Sequence, residues 1–279
     1  MLGKLIRYDS KIQIRFLCGI YVVAALLSGL SGLFLGLKRC FPNVMIFGLM
    51  RGFSWLICCL SVLAVFLGTM VYAVLYFRRN LLRDEGYLMH TLPVTSLQLY
   101  GSKLLTGTLF MYLSILVGYF CFGLGNLQFR YPVFDILREG GMDDGAFWLA
   151  GITLLTVLPL TLCQFFFSLV LGYTWKMNSA VSVNRDLLSV LSYIIVYMVQ
   201  QVIALVGLLA YFFIKFGSPF ASDFIKRITE LADNEAAVQA GVAGYVNGLL
   251  RVSLASSILF GAVLFILSVR RLNRHLNLE

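Results

Sequence analysis

Phe53–Phe77 reads FSWLICCLSVLAVFLGTMVYAVLYF, an unbroken apolar stretch without one Asp, Glu, Lys or Arg. About 20 predominantly apolar residues suffice for a helix to cross the hydrocarbon of a bilayer. The apolar residues here are contiguous rather than spaced every third or fourth position, the pattern of a segment solvated by lipid on all sides. Outward from it, five more runs of the same character lie near Phe16–Leu37, Leu104–Leu124, Phe147–Tyr173, Leu187–Phe216 and Val252–Val269. With 60% hydrophobic and 13% charged residues among 279, and a mean hydropathy of +0.88, the chain carries more apolar side chain than one soluble core could bury.

Inside a bilayer every backbone polar group must be paired within the protein, which leaves only helices and closed barrels. These runs are too long and too little alternating for barrel strands. The sequence therefore predicts an all-α polytopic membrane protein with about six transmembrane helices, forming a single membrane domain over residues 1–279.

Basic residues orient it. With a cytosolic N-terminus, that side holds Lys4, Arg7, Lys11, Arg15, Arg78, Arg79, Arg83, Lys103, Lys176, Arg185, Arg270, Arg271 and Arg274, thirteen of the 22 bases, and nine lie outside. An excess of Lys and Arg marks the cytosolic side, so both termini are expected there. Trp55, Trp148 and Trp175 fall at the ends of the expected spans, where amphipathic rings favour the headgroup layer. The net charge of +9 comes from bases scattered over short loops without a stripe. Topology and anionic lipid account for it, and nucleic acid is not an expected partner. The first apolar run is followed by Leu37-Lys38-Arg39 rather than a small-residue cleavage site, so it is expected to remain in the mature chain. The six cysteines show no CxxC spacing, and five of them fall within spans as small apolar filler.

The connection from Arg78 to Lys103, RRNLLRDEGYLMHTLPVTSLQLYGSK, is the longest on the expected cytosolic side. On a helical wheel Leu81, Leu82, Leu88, Met89 and Leu92 gather on one side, while Arg79, Arg83 and His90 face away. This predicts a short amphipathic helix ending near Pro93. Thr95-Ser96-Leu97-Gln98 has the spacing of a capping box, so the third helix is expected to start there. Glu85 falls on the apolar side, where a carboxylate needs a partner. Arg78, Arg83 and Lys103 are the candidates for a plain ion pair, and anchoring of the helix to another element is the alternative. Gly86 in the middle implies a local break or the close packing of a partner's backbone.

The connection 217–251 ends in Ala236–Leu250, rich in Ala, Gly and Val. Two readings fit it: a re-entrant hairpin covered by protein, or a long final helix that protrudes outward. Pro159 is expected to kink the fourth span, and Gly32/Gly36 and Gly244/Gly248 have GxxxG spacing.

Motifs for covalent chemistry are missing. HExxH, GxSxG and the phosphate loop GxxxxGK[ST] do not occur, and the two histidines, His90 and His275, stand alone. No Asp or Glu falls within the six expected spans, which disfavours a proton- or sodium-coupled carrier. Gln164, Gln200 and Gln201 are the polar residues at membrane depth. They read as interhelical hydrogen-bonding glue or, alternatively, as part of a substrate path.

Six spans, the basic N-terminal stretch LGKLIRYDSKIQIR and above all the stretch from Tyr76, YFRRNLLRDEGYLMHTLPV, resemble the permease subunits of type-two bacterial ABC exporters. Asp9 departs mildly from the Glu of many such subunits. The resemblance implies a plasma-membrane protein without cofactor of its own. ATP and Mg would be bound by a separate cytosolic phosphate-loop ATPase, with a second permease subunit, identical or related, completing the transporter among membrane lipid. It further implies an interfacial segment at 1–15 and a coupling segment at 78–95, where Arg79, Arg83, Asp84, Glu85, Gly86 and Tyr87 would meet the ATPase. Residues 217–251 would form the external, re-entrant part. The expected function is the transmembrane subunit of an ATP-driven exporter. The alternative is a polytopic protein without transport activity, such as an assembly factor or sensor component.

The topology yields a test. In intact cells an impermeant thiol reagent should label Cys40 but not a cysteine introduced beside Glu279; labelling of the C-terminal site in sealed cells would exclude an even number of spans.

Overall fold

The computed structural model describes residues 2–82, 86, 93–128, 144–174, 184–216 and 235–275. Its elements are α1 (Leu2–Cys40), α2 (Met45–Phe77) continued by a π-helical turn (Arg78–Leu82), α3 (Ser96–Asn126), α4 (Asp144–Thr174), α5 (Arg185–Phe216) and α6 (Glu235–His275). No strand occurs among the described residues. Each of the six apolar runs lies within one of these helices, and all six helices are long and apolar enough to cross a membrane. The chain is a multi-pass, all-helical membrane protein.

Two compact units divide the chain. The first, Met1–Tyr131, contains α1 to α3; the second, Pro132–Asn277, contains α4 to α6. In the first, side-chain contacts fix the directions. Asp9 meets Lys103, Tyr21 meets Ser114 and Ser31 meets the carbonyl of Gly125, so α1 and α3 run parallel. Tyr76 meets Asp9 and Cys58 meets Ser28, so α2 runs antiparallel to α1. In the second unit, Gln164 meets Gln200 and Phe165 stacks on Tyr193 with centroids 4.2 Å apart, which sets α5 antiparallel to α4. Cys163 donates to the carbonyl of Gly261, joining α4 to α6.

α1 is a single helix. The N-terminal stretch expected at the interface continues into the span without a break, and at about 58 Å α1 is nearly twice the thickness of a hydrocarbon core. Its buried stripe starts with Leu5, Asp9, Gln13 and Leu17, at i+4 spacing, and continues through Ala24, Ser28, Ser31 and Leu35. Lys4, Arg7, Lys11 and Arg15 are exposed. One packed face thus serves both halves of the helix.

α3 starts where the sequence predicts. Thr95 caps it, with the Gln98 N–H donating to Thr95 Oγ1 at 3.3 Å and the Thr95 N–H donating to Gln98 Oε1 at 3.4 Å. It ends at Leu127, held in the left-handed region at φ 51°, a conformation that costs a residue with a Cβ. α4 runs on past Pro159. Of the two readings of Ala236–Leu250, the continuous one is found: these residues belong to the unbroken helix α6 and do not turn back within it.

Glycines permit the tightest crossings. A Cβ on Gly32 of α1 would stand 2.5 Å from the Leu124 carbonyl oxygen of α3, and one on Gly125 would stand 2.7 Å from Cys58 Sγ of α2. In the second unit Gly248 of α6 lies against the Tyr211 ring of α5, and Gly172 of α4 against Ser189 of α5. The GxxxG spacing is used by one member only in the first unit. Gly32 is packed, whereas a Cβ on Gly36 would meet nothing within 4 Å.

That contrast is measurable. Gly32→Ala should destabilise the chain by about 1–3 kcal/mol, the usual cost of overpacking, whereas Gly36→Ala should leave stability unchanged or slightly raised. Thermal unfolding in mild detergent compares the two, and equal midpoints would contradict the close α1–α3 approach.

Candidate functional site

A carboxylate and an ammonium are buried together where α1, α2 and α3 meet. Asp9 is 0% exposed and Lys103 1%. Asp9 Oδ1 accepts hydrogen bonds from Lys103 Nζ and, at 2.8 Å, from Tyr76 Oη, while Oδ2 accepts from Ser102 Oγ at 3.3 Å. Lys103 Nζ also lies 3.5 Å from Tyr76 Oη and 4.6 Å from the centroid of the Tyr76 ring. Desolvating two charges costs several kcal/mol each, and only close pairing with further hydrogen bonds repays it. The three donors on Asp9 meet that condition, two of them charge-assisted by the carboxylate alone and one also by the ammonium.

The polar character extends one helical turn to either side. Gln13, one turn on from Asp9, and Asn80, one turn on from Tyr76, are 2% and 1% exposed, and Gln13 Oε1 and Asn80 Oδ1 have no hydrogen-bond partner. Because α1 and α2 are antiparallel, these two amides flank the ion pair from opposite ends.

Sequence reasoning missed this junction. Asp9 stood out only as a departure from the Glu of similar permeases, and Lys103 only as one of three candidate partners for Glu85, beside Arg78 and Arg83. The ammonium of Lys103 is engaged by Asp9, and Glu85 lies outside the described residues. The available signal was spacing: Asp9 is the sole acid of α1, and it shares the i+4 face with Leu5, Gln13 and Leu17.

The junction holds both ends of the connection that carries the expected coupling residues. The π-helical turn Arg78–Leu82 leads out of α2 directly after Tyr76 and Phe77. Leu81 and Leu82, on the apolar side of the wheel, are 0% and 6% exposed, and Arg79 is exposed. Gly86 is helical and buried by this chain itself, so its burial needs no partner backbone. Arg83, Asp84, Glu85 and Tyr87 lie outside the described residues, as do residues 88–92.

The three glutamines lie in the second unit. Gln164 is buried, and its Nε2 donates to Gln200 Oε1, linking α4 to α5. Gln200 and Gln201 also line a cleft between α5 and α6 together with Ser253, Ser256 and Ser257. They stand at the middle of α5, which spans Arg185–Phe216.

Asp9→Asn keeps the shape of the side chain but takes away the carboxylate charge that the buried Lys103 ammonium meets at the junction, and should cost about 3–5 kcal/mol. Asp9→Leu combined with Lys103→Met removes both charges and should cost much less. Unfolding midpoints of the purified variants test this; an Asp9→Asn chain as stable as wild type would refute a desolvated ion pair.

Compared with known proteins, the chain matches no protein-family model, no curated protein and no solved structure.

Proposed function

We propose that this chain is the permease subunit of an ATP-driven transporter of the ABC exporter type, set in the bacterial plasma membrane with both termini in the cytosol. A separate cytosolic subunit with a phosphate loop binds ATP and Mg and hydrolyses the nucleotide, and a second permease subunit completes the path. Substrate moves through alternating conformations of the paired membrane domains.

The observation that carries this reading is the Asp9–Tyr76–Lys103 junction. A motion of an ATPase can move transmembrane helices only through an element that touches both and does not yield. The connection between α2 and α3 leaves α2 beside Tyr76 and enters α3 through the helix that carries Lys103, and Asp9 ties both to α1. A push on the connection therefore reaches three helices together. A buried, hydrogen-bonded ion pair gives that joint a defined geometry, since separating the two charges forfeits their close pairing and the hydrogen bonds around it. The π-helical turn at Arg78–Leu82 supports the same reading, because such turns cluster at functional positions within helices. So does the resemblance of the Tyr76–Val94 stretch to exporter permeases.

Purification in mild detergent with identification of every co-eluting chain tests the assignment. A phosphate-loop ATPase should co-purify, and ATP turnover should require it. Arg79→Glu reverses an exposed charge on the turn and should lower the co-purified ATPase by about fivefold or more, the scale of one interface anchor, without reducing membrane abundance. ATP turnover by the isolated chain, or wild-type ATPase recovery with the variant, would sink the reading.

A further inference from the structure

Polar side chains in these helices are mostly answered from within the chain. Tyr21, Ser114 and Thr69 form a hydrogen-bonded trio across α1, α3 and α2, with Oη–Oγ and Oγ–Oγ1 distances of 2.8 and 2.6 Å. Serines without such a partner turn back on their own helix: Ser189, Ser192 and Ser268 each donate to the carbonyl four residues earlier. Gln164 and Gln200 answer each other.

The cleft between α5 and α6 breaks this pattern. The two helices are antiparallel, with Gly207 opposite Val252 and Tyr211 against Gly248. Along this register Gln200 and Gln201 face the segment Ser253–Phe260. Ser256 donates to the Ser253 carbonyl at 2.9 Å. The side chains of Gln201, Ser253 and Ser257 form no hydrogen bond among the described residues, and the two serines forgo the backbone carbonyls that would normally take their hydroxyl protons. Between these groups Leu208, Val252 and Phe260 supply apolar wall. Among the described residues none that lines the cleft is ionisable. Its volume is about 390 Å³, within the range of small-ligand sites.

Hydrocarbon cannot satisfy these donors and acceptors, and a charged ligand at this depth would find no counter-charge. We infer that the α5–α6 cleft is a binding site for an amphiphile whose polar part is uncharged and carries hydroxyl or amide groups, with its apolar part against Leu208, Val252 and Phe260. Amides and hydroxyls both donate and accept, so they suit alcohols and amides without demanding a charge. Calling such a ligand the transported cargo rests on the function proposed above; the binding itself does not.

The test uses the full chain in nanodiscs of phosphatidylcholine. A diazirine-bearing monoacylglycerol is compared with diazirine probes of the same acyl length that carry a trimethylammonium or a sulfate head. The uncharged probe should label peptides from 200–208 and 249–260 saturably, and about tenfold more strongly than either charged probe. Gln201→Leu with Ser257→Ala should weaken that labelling about tenfold, the effect of losing two hydrogen bonds. Ser253→Phe fills the cleft from an exposed position without removing a packed side chain, and should abolish the labelling if the double variant does not assemble. Labelling that is unsaturable, indifferent to the head or undiminished by the variants would overturn the inference and leave only a lipid-facing groove. Spontaneous disulfide cross-linking of two copies through Gln201→Cys would overturn it in favour of a subunit interface. The same preparation is probed for the co-purified ATPase. Lost selectivity with the ATPase retained refutes the cleft alone, whereas selective labelling without an ATPase upholds the cleft and removes the transport reading.

Discussion

A hydrogen-bonding group within hydrocarbon has no solvent to fall back on, so a polar side chain on a spanning helix must find its partner in the protein. That constraint organises the first unit of this chain. Burial within the protein imposes the same demand on the Asp9–Lys103 pair, just before the apolar runs of α1 and α3: two full charges are withdrawn from solvent and held by each other, by Tyr76 and by Ser102. The pair fixes how α1, α2 and α3 meet at the end where the connection 78–95 begins and returns.

The same constraint sets the register of the parallel helices along their length. From Asp9 with Lys103, through Tyr21 with Ser114, to Ser31 with the Gly125 carbonyl, the partners on α1 and α3 stay 94, 93 and 94 residues apart. A slip of one turn would orphan all three levels at once. Between them the helices approach closely at Gly32 and Gly125, where a side chain would strike backbone or a packed cysteine. Association in lipid relies on such packing and on hydrogen bonds, because lipid tails are as apolar as the residues they touch. Polar rungs thus choose the register and glycines allow the contact that holds it.

The second unit distributes its polar groups differently. α4 is its packed member, with 56% of its apolar window buried, against 6% for α5 and 11% for α6. Gln164 with Gln200 joins α4 to α5, but Gln201, Ser253 and Ser257 open into a cleft instead of closing on one another. Gln13 Oε1 and Asn80 Oδ1 apart, the first unit pairs its buried polar groups, whereas the α5–α6 cleft keeps hydrogen-bonding capacity open, as the proposed transmission of movement and reception of a ligand would require.

The sequence by itself determined that the chain is helical and multi-pass, because uninterrupted apolar length is a local property that solvation by lipid converts directly into a helix. It also determined where α3 starts, since a capping box needs only Thr95 and Gln98, three residues apart. The wheel of the 78–95 segment likewise grouped Leu81 and Leu82 on its apolar side, and both are buried. Tertiary structure alone decided the rest. Asp9 and Lys103 are 94 residues apart, and nothing in either neighbourhood names the other. Gly32 and Gly36 look alike in sequence, yet only Gly32 meets the Leu124 carbonyl. Whether Ala236–Leu250 turned back or ran on was equally open, because Ala, Gly and Val permit both; the structure carries the segment on as helix in α6. Local composition specifies what a segment can be. Which charge faces which, and which glycine is indispensable, depends on the crossing of helices distant in the chain.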